Sequence, residues 1–94
     1  MAKISVLVSA NLKDRLGRGR FSVEASDPLA ALERMSSDPE YGPSFSEEVY
    51  APGKPLKPYC IFMINGQVVD SKRLRQAKLS DGDVLHILAP VGGG

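Results

Sequence analysis

The sequence has 94 residues, of which 43% are hydrophobic and 24% are charged, with a formal net charge of +1 and a single cysteine. These values fit one globular domain with a modest core. They exclude a membrane span of roughly 18 apolar residues and any strong overall attraction to nucleic acid or a membrane surface. Since the N-terminus lacks the pattern of a signal peptide and one cysteine cannot form an intrachain disulfide, we expect a cytoplasmic protein.

The first 25 residues predict two strands joined by an irregular connection. Residues 4–9 alternate with period two and carry β-branched residues on one side, which is typical of a half-buried strand. Residues 13–20 combine charged residues with two glycines, so we expect a solvated turn there. Residues 21–25 alternate again, and the two strands should pair as an antiparallel hairpin.

A helix is predicted next, followed by a long connection. Ser26 or Asp27 can cap the free N–H groups of a helix start and Pro28 suits the first helical position, so the helix should run from about Pro28 to Ser37. Residues 38–59 hold five of the seven prolines, which indicates an irregular connection with one short helix near residues 44–49.

The C-terminal part predicts three further strands. Residues 59–64 form a strongly apolar strand, the Asn-Gly pair at 65–66 is a tight-turn signal, and residues 67–69 return as a short strand. A second turn at residues 79–83 leads into the final strand at residues 84–88.

This order of elements predicts the fold class α+β, with one main helix across one face of a mixed sheet. The first and last strands would then pair in parallel at the sheet centre, as in a β-grasp (ubiquitin-like) fold. We expect residues 1–91 to form this domain and residues 92–94 to form a flexible glycine tail.

The tail, Gly92-Gly93-Gly94, is the most informative feature of the sequence. Glycine adds no packing and has the highest backbone entropy, so three glycines after a strand and a proline do not stabilise a fold. One interpretation is a frayed terminus or a cloning remnant. The other is an arm that enters a narrow channel in a partner and presents its carboxylate for activation by ATP.

Two segments resemble a known family. Residues 79–94 carry Asp-Gly-Asp, an alternating strand and a Gly-Gly end, and residues 62–66 carry a strand running into Asn-Gly. Both resemble the MoaD/ThiS family of ubiquitin-like sulfur carriers, which includes molybdopterin synthase small subunits and thiamine sulfur carriers. The N-terminal elements fit the family in order and length, although many members have Thr or another small residue where Gly92 stands.

The resemblance implies a carrier that is not itself an enzyme. An E1-like adenylating enzyme would use ATP to adenylate Gly94, and a persulfide sulfur donor would convert the adenylate to a thiocarboxylate. The tail, with Gly92 and Gly93 before the thiocarboxylate on Gly94, would enter a synthase large subunit or another sulfur-accepting enzyme and hand over the sulfur. Molybdopterin synthesis is the leading pathway because Pro-Val-x-Gly-Gly looks most like that branch. Thiamine, cysteine and specialised-metabolite pathways stay open. No bound cofactor, nucleic acid or membrane is expected.

Other chemically capable residues have simpler interpretations. Cys60 should alternate inward with Phe62 and Ile64, which favours a buried core thiol over a persulfide carrier. His86 is the only histidine and has no acid or nucleophile pattern around it, so an exposed strand histidine is favoured over a catalytic base. No residues have metal-ligand spacing.

Strand alternation also predicts an apolar patch on the face of the sheet away from the helix. We call it the outward patch, and it consists of Leu7, Ile61, Met63, His86 and Leu88. A monomer seldom exposes a large apolar patch without a use, so we expect it to bind the partner. A homodimer contact, or cover from residues 38–59, is the alternative.

Two rival functions use the same sequence features differently. A protein modifier would join Gly94 to lysines through isopeptide bonds and would give high-mass conjugates in a lysate. A regulatory or scaffolding β-grasp domain would function without its tail.

Overall fold

The computed structural model describes residues 1–90, so the predicted glycine tail at residues 92–94 lies outside the described part. The described chain forms five strands, three α-helices and one 3-10 helix. In chain order these are β1 (Ala2–Val8), α1 (Ala10–Leu16), β2 (Arg20–Ala25), α2 (Pro28–Ser36), α3 (Gly42–Glu48), β3 (Ile61–Ile64), β4 (Gln67–Val69), the 3-10 helix (Ser71–Arg73) and β5 (Val84–Leu88).

The strands form one mixed sheet in the order β2-β1-β5-β3-β4. β1 and β5 are parallel, while β1–β2, β3–β4 and β3–β5 are antiparallel. Residues on one face of this sheet, including Val6, Phe62, Leu85 and Ile87, are buried against the helices. The first and last strands are therefore adjacent at the sheet centre, and the predicted β-grasp fold is confirmed.

The principal helix, α2, begins as predicted. The Asp27 carboxylate accepts a hydrogen bond of 2.8 Å from the backbone N–H of Ala30, and Pro28 occupies the first turn. Leu32 and Met35 are fully buried against the sheet, and the helix ends at Ser36, one residue before the predicted end. A capped start and a single apolar face thus define this helix.

The sequence prediction for the connection between β1 and β2 is wrong. Residues 13–20 do not form only a solvated turn, because the helix α1 covers Ala10–Leu16. Leu12 and Leu16, four residues apart, form its buried side. Gly17, with φ of 90°, ends the helix in the left-handed conformation, so the glycine that suggested a turn is a helix C-cap.

The connection after α2 contains the short helix α3, beginning two residues before the predicted position. Gly42 brings α3 very close to α2, since a Cβ at this residue would lie 2.6 Å from the carbonyl oxygen of Ser36. Arg15 of α1 forms an ion pair with Glu48 of α3, with 3.2 Å between Nε and Oε2. The three helices therefore form one layer on the inner face of the sheet.

Among residues 1–90 we find no helix with the length and apolar character needed to cross a bilayer.

Candidate functional site

The last described residues leave the centre of the sheet, where the predicted tail is rooted. β5 lies between β1 and β3 and carries the chain to Ala89 and the exposed Pro90. The Ser9 hydroxyl oxygen accepts a hydrogen bond of 3.3 Å from Ala89 N–H and donates one of 3.4 Å to the Ala89 carbonyl. Ala89 is buried, so the backbone is held in place directly after β5.

The helix that the sequence analysis missed also holds Ser9 in place. The Ser9 carbonyl accepts a bond of 2.8 Å from Lys13 N–H in α1, and Ser9 N–H donates one of 3.0 Å to the Ile87 carbonyl in β5. Ser9 is thus tied to both the helix and the strand that delivers the tail. Its place directly before Ala10, where an N-cap serine belongs, is the signal that could have identified it.

The residues predicted to carry the chemistry, Gly92, Gly93 and Gly94, lie outside the described residues. Their proposed role therefore stays a prediction from the sequence. The described chain defines the starting point at Pro90 and the surface around it.

The two sequence motifs that support the family resemblance contact each other at the opposite end of β5. The Asn65 amide donates a bond of 3.0 Å to the Asp83 carboxylate and accepts one of 2.9 Å from Val84 N–H. Asp83 also accepts a bond of 2.8 Å from Ser80 N–H, and these hydrogen bonds hold the pKa of its carboxyl below its usual value. Both motifs therefore fix the alignment of β5 with β3.

Asp81 and Gly82 join β1 to the same turn. The Asp81 carboxylate accepts a bond of 2.8 Å from Lys3 N–H, and Gly82 N–H donates one of 3.0 Å to the Lys3 carbonyl. Gly82 has a φ of 88°, which only glycine adopts easily. The Asp-Gly-Asp sequence is thus a structural device that positions the tail-bearing strand, and none of its residues lies at the tail itself.

The outward patch lies on the sheet face opposite the helices, as predicted from alternation. His86 of β5 is paired with Leu7 of β1 on one side and with Met63 of β3 on the other, and these three residues are half-buried. Leu88 and Ile61 are also paired and are 37% and 46% exposed. Residues 38–59 therefore do not cover this end of the face, and the patch reaches the strand end next to Pro90.

Two exposed apolar residues enlarge this surface and were missed by the sequence analysis. Val68 is 71% exposed and pairs with Met63 at the edge of the sheet. Tyr59 is 48% exposed and lines a shallow pocket with Ile61 and Pro90 at the root of the tail. β4 has only three residues, so its alternation was too short to show which valine faces outward.

The imidazole of His86 is in an unusual position for a surface histidine. Within the described chain its Nδ1 atom is buried and has no hydrogen-bond partner. No carboxylate lies beside it in the sheet, because its neighbours are Leu7 and Met63. This surrounding offers no group to orient a catalytic base. The expectation of an exposed strand histidine is wrong, however, because His86 is half-buried between its two neighbouring strands.

Cys60 is a buried thiol, as expected. Only 7% of the residue is exposed, and its Sγ lies 3.9 Å from the Glu48 carbonyl, to which the thiol donates. Burial raises the pKa of the thiol to about 11, so the protonated form dominates at neutral pH.

Among residues 1–90 we also find no cluster of His, Cys, Asp or Glu that could hold a metal ion.

Comparison with known proteins gives the following matches. The sequence model of the ThiS family matches residues 6–94. No curated protein sequence matches significantly. The structure resembles the small archaeal modifier protein 1 from Methanosarcina acetivorans, with a TM-score of 0.75, 23% identity and coverage of 100% of this chain and 98% of that one.

Two further solved structures show the same fold. CysO of Mycobacterium tuberculosis has a TM-score of 0.69 and 22% identity, covering 94% of this chain and 99% of its own. A chain from the complex of subunits 1 and 2 of the molybdopterin-converting factor of Helicobacter pylori has a TM-score of 0.60 and 22% identity, covering 98% and 99%. At these identities the likenesses show the fold alone.

Proposed function

Because this chain belongs to the ThiS family, we propose that it is a sulfur carrier whose terminal Gly94 is adenylated and converted to a thiocarboxylate. The observation that carries the proposal is the anchored root of the tail. The central strand β5 delivers the chain at Ala89, held by Ser9, and the family match extends through Gly94. A fixed root lets a partner enzyme find the terminal carboxylate at a defined distance from the domain.

The proposed chemistry uses this chain only as the acyl group. The Gly94 carboxylate attacks the α-phosphorus of ATP in the partner's site, forming acyl-AMP and releasing pyrophosphate. A persulfide sulfur then attacks the acyl carbon and AMP leaves. Cleavage of the resulting acyl disulfide by a thiol reductant gives the thiocarboxylate. Glycines at 92 and 93 have no side chains, which suits passage through a narrow channel.

The described residues favour a carrier acting with partner enzymes over an enzyme acting alone. The Cys60 thiol is buried with a raised pKa, so it is a poor nucleophile. His86 lies between Leu7 and Met63 and has no group to orient it as a base. We infer that this protein acts in the cytoplasm with an E1-like adenylating enzyme, which binds the ATP, and with a persulfide donor.

The sulfur acceptor is proposed to dock on the outward patch. The patch reaches Leu88 at the end of β5, so a partner bound there would receive the tail directly. The Helicobacter pylori structure is itself a complex of two molybdopterin-converting subunits, which supports a synthase large subunit as the partner. The Pro-Val-x-Gly-Gly ending favours molybdopterin synthesis. Transfer to thiamine, cysteine or a specialised metabolite is the alternative.

A protein modifier is the second candidate, because the fold is shared with a small archaeal modifier protein. Both functions require the same activated Gly94 and differ only in the acceptor. The test is incubation with an E1-like enzyme, ATP and a persulfide donor, followed by intact-mass measurement. Exchange of one oxygen for sulfur at the C-terminus supports the carrier. Failure to form any adenylate would refute both functions, and lysine conjugates without thiocarboxylate would favour the modifier.

A further inference from the structure

One edge of the sheet is open and long enough to pair with another strand. β2 has six residues, whereas β4 at the other edge has three. Val8 N–H donates to the Gly19 carbonyl at 3.1 Å, and backbone groups alternate in direction along an antiparallel strand. Arg20, Ser22 and Glu24 therefore direct their N–H and C=O groups away from β1, towards the free edge.

The surroundings of this edge leave it accessible. A groove runs beside it, lined by Ser22 and Glu24 of β2 and by Lys3, Arg34 and Tyr41. Arg34 Nε donates a bond of 3.1 Å to the Glu24 carbonyl, which places that oxygen on the free edge. A carbonyl has two lone pairs, so Glu24 can still accept a second hydrogen bond from an added strand.

The outward side chains of β2 form a self-complementary charge pattern. Arg20, Ser22 and Glu24 are exposed and share the face of the sheet opposite the core, in the order positive, neutral, negative. In an antiparallel pair of two such strands centred on Ser22, each Arg20 lies opposite Glu24 of the second copy. Arg20, Ser22 and Glu24 also direct their backbone groups towards the free edge. One register therefore pairs both the backbone hydrogen-bonding groups and the opposite charges.

We propose that β2 pairs with β2 of a second copy of this chain, centred on Ser22, so that one sheet continues through a twofold dimer. Charge complementarity selects this occupant. Lys3 of β1 is paired with Glu24 of β2. The row of side chains that crosses the interface is therefore Lys3, Glu24 and then Arg20 of the second copy. Opposite charges thus alternate along this row. Shifting the register of the two β2 strands by two residues would place Ser22 opposite a charged residue and break both pairs between Arg20 and Glu24.

The dimer is independent of the proposed sulfur chemistry. β5 lies between β1 and β3, away from the β2 edge, so neither Ala89 nor the Leu88 end of the outward patch lies at the dimer contact. Deleting Gly94 should therefore leave dimerisation unchanged even where it abolishes adenylation. Failure of one proposal is then distinguishable from failure of the other.

The test uses two single charge reversals and their mixture. Arg20→Glu and Glu24→Arg each replace both opposite-charge pairs by like-charge pairs, and each should weaken the homodimer about tenfold or more. Mixing the two variants restores opposite charges at both pairs, so a heterodimer should form. Sedimentation equilibrium up to millimolar concentration measures the dissociation constant of each homodimer and of the heterodimer. Added salt should weaken the wild-type dimer.

Lys54→Glu is the matched control for Arg20→Glu, because it makes the same charge change at an exposed residue between α3 and β3. Circular dichroism checks that each variant folds. In the wild type, amide exchange at Ser22 should slow as concentration rises. A wild type that stays monomeric, a mixture that fails to associate, or a dimer broken by Leu88→Glu but not by Arg20→Glu would overturn the proposal.

Discussion

The hydroxyl of Ser9 holds both backbone groups of Ala89, at 3.3 Å from its nitrogen and 3.4 Å from its oxygen. This one side chain from the start of α1 satisfies two polar groups of a buried residue that has already left β5. The relationship joins residues 80 positions apart and fixes the backbone at Ala89, shortly before the predicted tail.

The first prediction concerns this contact. Ser9→Ala should lower the free energy of unfolding by about 1–3 kcal/mol, because both Ala89 groups lose their partner. Amide exchange at Ala89 should accelerate more than exchange at Ile87, which is held by the sheet. Ser5→Ala is the control, since its hydroxyl accepts only from exposed Arg20 and its loss should change little. Equal exchange rates at Ala89 in the two variants would show that the Ser9 hydroxyl does not hold Ala89 in place.

The second prediction tests the outward patch. Leu88→Glu and Met63→Glu should each weaken binding of the partner at least about tenfold, because a charge would be desolvated in the interface. Leu88 is already 37% exposed, so its variant should keep nearly the same thermal midpoint. Gln67→Glu, at an exposed residue on the other face of the sheet, is the matched control. Calorimetric titration that gave wild-type affinity for both patch variants would refute the docking role.

Sequence periodicity identified the five strands and α2, although β1 covers Ala2–Val8 instead of residues 4–9 and β3 begins at Ile61 instead of residue 59. Val84–Leu88 was predicted with its observed bounds, and the alternation of Leu85 and Ile87 inward against His86 and Leu88 outward is what the structure shows. These segments are long enough for period two to define a face, and a cap at Asp27 marks the helix start.

The missed parts are those with little local signal. α1 has only Leu12 and Leu16 on its buried side, and adjacent charges and glycines gave a stronger turn signal. Leu74, 1% exposed, follows a 3-10 helix of three residues that no periodicity reveals. The contact between Ser9 and Ala89 depends on the register of β1 against β5, which the predicted parallel pairing of these strands does not give by itself.

The third prediction concerns the contact between α2 and α3. Gly42→Ala should destabilise the protein by about 1–3 kcal/mol, because the new Cβ would lie 2.6 Å from the Ser36 carbonyl oxygen and the helices must separate. Gly19→Ala is the control, since its Cβ would meet only the flexible side chain of Lys13 at 3.1 Å. Urea denaturation compares the two, and equal midpoints would contradict the close approach.

The fourth prediction concerns Cys60. With its pKa raised to about 11, the folded protein should react with iodoacetamide at pH 8 about 100-fold more slowly than the unfolded chain. The folded state holds the thiol proton more tightly, so stability should fall as pH rises from the ordinary thiol pKa of 9.0 towards the raised pKa of about 11. Cys60→Ser should abolish this alkaline loss and still accept sulfur at the C-terminus. Rapid alkylation of the folded thiol would disprove the buried assignment.

The last prediction concerns the terminal carboxylate. Deleting Gly94, or adding one alanine after it, should abolish thiocarboxylate formation, because the adenylating site must receive a glycine carboxylate at a fixed distance from the anchored root at Ala89. Both variants should keep the wild-type thermal midpoint, since glycine contributes no side-chain packing.

Intact-mass spectra after reaction with the E1-like enzyme, ATP and persulfide donor measure the charging. Alkylation of the product should label the C-terminus and leave Cys60 unlabelled. Gly92→Ala is the control, because it keeps both the length of the segment and the terminal Gly93-Gly94 pair. If the variant lacking Gly94 still supports the pathway in cells, the carrier function is refuted and a scaffolding role of the β-grasp domain is favoured.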